Sequence, residues 1–142
     1  MKQRKTPVAG GIAGIIEGRS GAIAGLLIAA LLVMAWMNRF VQDDAFITFR
    51  YARNLVDGMG LAWNPGERVE GYTNFLWTIL VAAGMKLGAD PVLCTQALGL
   101  ALFTCSLILA WRLGLDSGLG LPAALVSLLL TGTNYTFSCY AT

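Results

Sequence analysis

The sequence contains no histidine and little charge. The absence of histidine excludes His-based catalytic triads and histidine-ligated zinc sites. Charged residues make up 13% of the 142 residues and hydrophobic residues 56%, whereas soluble domains carry about 25% charged residues. A soluble globular enzyme is therefore not expected, and an integral membrane protein is the first interpretation.

Two further shortages exclude other classes of protein. The net charge is only +2, too small for an electrostatic nucleic-acid binder, so no nucleic-acid partner is expected. The cysteines Cys94, Cys105 and Cys139 lie in apolar stretches without metal-ligand spacing. They are interpreted as small buried hydrophobic residues and not as a disulfide or zinc framework.

Uncharged stretches predict the membrane-spanning helices. A crossing helix needs about 20 apolar residues, and we predict three of them, over 21–37, 91–113 and 119–140. The uncharged stretch at 71–85 is shorter, so a helix over 74–87 is predicted to lie in the membrane interface. The alternative is that 71–87 also crosses.

The basic N-terminus predicts the orientation. Lys2, Arg4, Lys5 and Arg19 place residues 1–20 in the cytoplasm by the positive-inside rule, and the loop 38–90 then lies outside. A cleaved signal peptide is the alternative. The apolar stretch exceeds the usual signal length of about 7–15 residues and no A-x-A-like site follows Met37, which favours an uncleaved anchor.

The outer loop begins with a predicted amphipathic helix over 43–57. Asp43 is a suitable N-cap and Gly58 a suitable C′ residue. At about 100° per residue, polar side chains gather on one face and apolar ones on the other, with Tyr51 at the margin. The polar face holds Asp43, Arg50, Arg53, Asn54 and Asp57, and the apolar face holds Ala45, Phe49, Ala52, Leu55 and Val56. Such a helix suits a membrane surface.

Two adjacent carboxylates stand at the start of this helix. Asp43 is predicted on the polar side and Asp44 toward the apolar side, where desolvation would make it a better base. The alternative is that both residues only cap the helix and complement its dipole, and composition alone favours that alternative.

The segment DDAFITFRYARNLVDGMGLAWNPGERVEGYTNFLWTIL (Asp43–Leu80) resembles the first outer loop of the GT-C membrane glycosyltransferases. The bacterial enzymes similar to mycobacterial terminal arabinofuranosyltransferases are the nearest branch. The resemblance is continuous, follows a helix-loop-helix order and keeps both aspartates. The later predicted spans resemble the family only in hydropathy.

The resemblance implies a membrane enzyme with a polyprenyl-phosphate sugar donor. Transfer to a cell-envelope glycan or another hydroxyl acceptor would occur at the outer face of the bacterial plasma membrane, beside membrane lipid. The resemblance places Asp43 and Asp44 in the catalytic centre, and it suggests that Glu70, Tyr72 and Asn74 line the sugar pocket. Some GT-C enzymes hold a divalent cation at these acidic residues and others use none, so a cation at Asp43 or Asp44 stays open and no cofactor is certain.

The residue types fit glycosyl transfer. A carboxylate can deprotonate the acceptor hydroxyl, and the departing phosphate needs arginine, lysine or a metal ion rather than a strong acid. Arg50 and Arg53 are the arginine candidates in the loop. The alternative is that both arginines pair with Asp57 on the same helix face.

The resemblance also raises a question of length. GT-C enzymes are several times longer, and the chain ends at Thr142, where the third predicted span would reach the outer surface. We therefore expect an N-terminal fragment that is inactive alone. The alternative function is a small non-enzymatic membrane protein that acts as a scaffold or assembly partner.

Overall fold

The part of the chain that the structure describes is helical apart from its connecting loops. The computed structural model describes residues 8–67 and 69–136, with side chains from residue 20 onward. Its helices are α1 (Val8–Met37), α2 (Asp43–Val56), α3 (Phe75–Lys86), α4 (Pro91–Asp116) and α5 (Leu121–Gly132). Within these ranges there is no strand, only an isolated bridge between Asn64 and Glu67. The predicted all-helical class is confirmed.

Two of the described helices are long and apolar enough to cross a membrane. The apolar part of α1, Ser20–Met37, has 18 residues, and α4 has 26. At about 1.5 Å per residue they approach or exceed a hydrocarbon core of about 30 Å. Only 17% of Ser20–Met37 and 22% of α4 are buried, and large apolar side chains such as Leu26, Val33 and Leu109 are exposed. These surfaces suggest a membrane protein.

The third predicted span is not confirmed. Helix α5 has 12 residues, about 18 Å at the helical rise, and it ends at Gly132 instead of continuing to 140. Gly132, Thr133 and Asn134 all have low helix propensity, which accounts for the break. Residues 137–140 of the predicted span lie outside the described residues, as do residues 1–7 of the predicted cytoplasmic segment, Arg68 and Cys139.

Helices α1, α4 and α5 share one apolar core. Leu31 of α1, Leu107 of α4 and Leu128 of α5 are buried together in it. Gly114 lets α4 approach α5 closely, because a Cβ there would overlap the backbone of Ala124. The reversal between α4 and α5 passes through Gly118 and Gly120, whose φ angles of +79° and +72° suit glycine.

Helices α2 and α3 form a second packed unit. Phe49 and Ala52 of α2 bury their side chains against Val81 and Ala82 of α3. Helix α3 continues the packing onto α4, where Gly84 leaves no room for a Cβ beside the Cys94 sulfur. Helix α3 therefore connects α2 to α4.

The start of α2 differs from the sequence prediction. The N-cap residue is Gln42 instead of Asp43, and its side chain makes no capping hydrogen bond. Asp43 and Asp44 occupy the first helical turn, and both are exposed. The predicted desolvation of Asp44 is not found among the described residues, because the side chain is exposed while its neighbour Ala45 packs against the core.

Candidate functional site

The loop between α2 and α3 is fastened to α2 by the Tyr51 side chain. Its hydroxyl donates to the Val69 carbonyl oxygen at 2.7 Å and accepts from the Gly71 N–H at 3.0 Å. The residue is 1% exposed, so the predicted marginal position of Tyr51 is wrong; the loop folds over it. A Cβ at residue 71 would lie 2.8 Å from the hydroxyl, which explains a glycine there.

Asn54 makes a second attachment between α2 and the loop. Its Nδ2 donates to the carbonyl oxygens of Ala62 at 2.6 Å and Trp63 at 3.1 Å. The sequence predicts that Asn54 lies on an exposed polar face. The side chain is instead 8% exposed, because the loop that it hydrogen-bonds lies over it.

Arg50 also binds the loop and does not pair with Asp57. Its Nε donates to the Trp63 carbonyl oxygen at 2.9 Å, and a terminal nitrogen donates to Asn64 Oδ1 at 3.1 Å. The guanidinium carbon lies 4.7 Å from the centre of the Trp63 ring, within cation–π range. Arg50 therefore holds Trp63 and Asn64 in place.

Asn74, at the start of α3, joins that helix to the middle of α2. Its Nδ2 donates to the Thr48 hydroxyl at 3.1 Å, and its Oδ1 accepts from the Thr78 hydroxyl at 3.2 Å. Thr48 and Thr78 are buried, and the amide gives the Thr48 hydroxyl its partner, whereas the Thr78 hydroxyl also donates to the Asn74 backbone carbonyl at 3.2 Å. This predicted sugar-binding residue thus has a structural role in the described part of the chain.

The fastened loop and α2 enclose a cleft of about 350 Å³. It is lined by Ile47, Tyr51, Trp63, Asn64, Glu67, Val69 and Gly71. The Tyr51 and Trp63 rings lie 5.8 Å apart, and Asn64 Nδ2 donates to Glu67 Oε2 at 2.9 Å. An aromatic wall therefore faces a polar edge, the usual composition of a small-ligand site.

The two aspartates lie beside this cleft and not in it. Asp43 is four residues before Ile47, which is one helical turn on the same face. Neither Asp43 nor Asp44 makes a side-chain hydrogen bond or ion pair with another residue that the structure describes. Both carboxylates are thus unpaired within the described part of the chain.

The remaining predicted site residues differ in their availability. Arg53 is exposed, and it makes no side-chain hydrogen bond or ion pair with another described residue, Asp57 included. Glu70 is exposed between the two backbone groups that Tyr51 holds. The Tyr72 ring packs edge-on to Tyr51 at 4.9 Å, so it supports the loop.

The described residues do not form a complete metal site. No group of three or more His, Cys, Asp or Glu side chains converges among them. Asp43 and Asp44 are adjacent on a helix, so their side chains diverge.

Sequence reasoning missed the residues that build the cleft. Trp63 is interpreted from sequence as a headgroup-belt residue, and Glu67 as part of a solvated turn. The signal that could have found them is Asn64-Pro65-Gly66, because a turn there brings Asn64 and Glu67 together, as the bridge between them shows.

Two curated proteins are similar to the chain. A terminal β-(1→2)-arabinofuranosyltransferase of Mycobacterium tuberculosis is 41% identical over 68 residues, which cover 48% of this chain and 11% of the relative. A protein of the same name from Corynebacterium glutamicum is 45% identical over 42 residues, which cover 30% of this chain and 6% of the relative. The chain thus spans about one-tenth of the length of the first relative.

Other comparisons add no assignment. No protein-family model matches the chain, and no solved structure matches it. The resemblance to mycobacterial and corynebacterial terminal arabinofuranosyltransferases, seen first in the sequence, is therefore confirmed over part of the chain.

Proposed function

We propose that this chain supplies the outer-loop part of the active site in a membrane glycosyltransferase of the cell envelope. The proposed reaction moves an arabinofuranosyl unit from a polyprenyl-phosphate donor to a hydroxyl group of a glycan acceptor. The observation that carries the proposal is the identity to two terminal arabinofuranosyltransferases. The exposed carboxylate pair at the start of α2 gives that similarity a chemical meaning.

The aspartates serve as the base in this proposal. One carboxylate, Asp43 or Asp44, takes the proton of the acceptor hydroxyl, and the oxygen forms a bond to the anomeric carbon. The bond between that carbon and the phosphate oxygen breaks, and the polyprenyl phosphate leaves with the electron pair. A positioned base of this kind contributes about 10²–10⁴-fold to a rate.

Arg53 is the better of the two arginine candidates for the leaving phosphate. Arg50 is occupied by the Trp63 carbonyl and Asn64, whereas Arg53 is exposed without a partner among the described residues. A guanidinium can bind two phosphate oxygens at once, and this contact would stabilise the developing charge. Exposed Glu70 is proposed to bind sugar hydroxyls, and Tyr72 and Asn74 to shape the site around it.

The membrane arrangement is part of the same proposal. With residues 1–20 in the cytoplasm, α1 leaves the cell, α2 and α3 lie at the outer surface, and α4 returns. The free end of α2, with its two aspartates, then faces a lipid-linked donor presented from the outer leaflet of the bacterial plasma membrane. This arrangement is supported by the basic N-terminus and by the length and hydropathy of α1 and α4.

A donor panel tests the proposed function. Membranes are prepared from cells that produce the complete enzyme to which this chain contributes the outer loop, and that enzyme is the protein used in every assay below. The membranes are incubated with a radiolabelled arabinofuranose disaccharide acceptor and with polyprenyl-phosphate donors that carry arabinofuranose or different hexoses. We expect transfer from the arabinofuranosyl donor above the level of membranes that lack the protein. Transfer only from a hexose donor would show that the proposed donor sugar is wrong. No transfer from any donor would contradict the proposed glycosyltransferase activity.

A further inference from the structure

We propose that the cleft between α2 and the Trp63–Gly71 segment binds a sugar unit of the acceptor glycan and not the phosphate of the donor. This inference rests on the proposed function and extends it to a second substrate. It assigns substrate contacts to Trp63, Asn64 and Glu67, which lie outside the residues predicted to bind substrate.

The hydrogen-bonding groups of the cleft favour a ligand that donates hydrogen bonds. Glu67 is the charged residue among the described residues that line the cleft, and a carboxylate only accepts hydrogen bonds. One of its oxygens already accepts from Asn64 Nδ2, and the other has no partner among the described side chains. A sugar hydroxyl can donate to that oxygen, whereas a phosphate would bring a second negative charge to it.

Arg50, the cation among the described residues that contacts the cleft wall, does not reverse this preference. Arg50 lies behind the wall, with Nε on the Trp63 carbonyl and a terminal nitrogen on Asn64. The Tyr51 hydroxyl is also occupied, since it donates to Val69 and accepts from Gly71. The open donors of the described cleft side chains are then the neutral Asn64 amide and the Trp63 indole, which suit hydroxyl oxygens.

The aromatic wall suits the apolar face of a sugar ring. Trp63 is 37% exposed, and its ring is fixed by Arg50 on one side and by the nearby Tyr51 ring. Its backbone carbonyl is held by Asn54 and Arg50. The wall is therefore positioned before the ligand arrives, which lowers the entropic cost of binding.

The size and place of the cleft fit an acceptor sugar beside the base. A volume of about 350 Å³ lies at the small end of the range of about 300–1,000 Å³ for ligand sites, too small for a polyprenyl chain. Ile47 lines the cleft, and Asp43 precedes it by one turn, about 6 Å along the helix axis. A sugar held against Trp63 can thus direct a hydroxyl toward the carboxylates.

Steady-state kinetics with Trp63→Ala and Glu67→Gln tests the inference. We expect the KM for the arabinofuranose disaccharide acceptor to rise about tenfold, the usual effect of losing a central contact, with the KM for the polyprenyl-phosphate donor within twofold of wild type. Trp36→Ala and Asp57→Asn make the same chemical changes away from the cleft and are expected to leave both constants unchanged. An unchanged acceptor KM, or a rise in the donor KM instead, would overturn the assignment.

A binding measurement separates this inference from the transfer reaction itself. Saturation-transfer NMR of the same disaccharide with the Asp44→Asn protein in detergent micelles needs no turnover. We expect a saturation signal that falls in the Asp44→Asn/Glu67→Gln and Asp44→Asn/Trp63→Phe double variants. Phenylalanine keeps an aromatic ring in the wall but lacks the indole N–H that would donate to a sugar hydroxyl. Disaccharide binding with this dependence would support the cleft even if no transfer were found. Disaccharide binding that is unchanged by both substitutions, or no binding, would overturn the inference. Neither result would contradict a transferase activity measured separately.

Discussion

Tyr51 shows how a single side chain can organise the candidate site. Its buried hydroxyl bridges the carbonyl of Val69 and the N–H of Gly71, and the exposed Glu70 lies between them. The same ring forms part of the cleft wall. One phenol therefore sets both the path of the loop and the shape of the cleft.

The first prediction concerns this hydroxyl. Tyr51→Phe leaves the Val69 carbonyl and the Gly71 N–H without their partly buried hydrogen-bond partner, and each lost hydrogen bond costs about 1 kcal/mol. We expect a lower Tm in detergent by scanning calorimetry. Tyr72→Phe is the matched control, because the Tyr72 hydroxyl has no hydrogen bond within the described residues. A Tm equal to wild type in Tyr51→Phe would show that the two hydrogen bonds do not fasten the loop.

At the scale of elements, the sequence predicts the position of most helices but not the segments that pack against them. The predicted range 43–57 encloses Asp43–Val56, and 74–87 encloses Phe75–Lys86, since periodicity and turn residues are local signals. The burial of Tyr51 and Asn54 depends on loop residues that lie 8 to 20 positions later in the sequence. The helical period predicts which residues share a face, but it does not identify the segment that covers that face. The sequence did not predict the end of α5 at Gly132. The prediction was based on the apolar content of 119–140 and gave no weight to the low helix propensity of Gly132, Thr133 and Asn134.

The packing of α4 against α5 gives the second prediction. Gly114→Ala adds a Cβ that would overlap the Ala124 backbone, and backbone cannot move aside as a flexible side chain does. Overpacking of this kind costs about 1–3 kcal/mol, so a lower Tm in detergent is expected.

A second helical glycine supplies the control for that substitution. Gly25 of α1 has no other atom within 4 Å of an added Cβ, so Gly25→Ala is expected to keep the wild-type Tm or raise it slightly. Equal melting of the Gly114→Ala protein and wild type would contradict the close contact between α4 and α5.

At the scale of the whole molecule, the architecture is defined by the helices that cross the membrane. Helices α3 and α5 each have 12 residues, so length alone does not separate an interfacial helix from a crossing one. The sequence distinguished them only by the length of the surrounding uncharged stretch. The side of the membrane on which α4 ends decides between the two arrangements.

Cysteine labelling gives the third prediction. Single cysteines at positions 57 and 116, both exposed, are introduced after Cys94, Cys105 and Cys139 are changed to alanine. A membrane-impermeant maleimide is expected to label position 57 in intact cells and position 116 only after permeabilisation. Labelling of position 116 in intact cells would mean that α3 crosses, and failure to label position 57 would place the loop in the cytoplasm.

The most direct test of the central claim is the transfer rate of the Asp43→Asn and Asp44→Asn proteins, measured with the polyprenyl-phosphate arabinofuranose donor in membranes that hold equal amounts of each protein. Loss of the base is expected to lower the rate at least about 100-fold for one of the two. Asp57→Asn, at the other end of α2, is expected to retain the wild-type rate. Rates within a few-fold of wild type for both Asp43→Asn and Asp44→Asn would contradict the assignment of these carboxylates to catalysis.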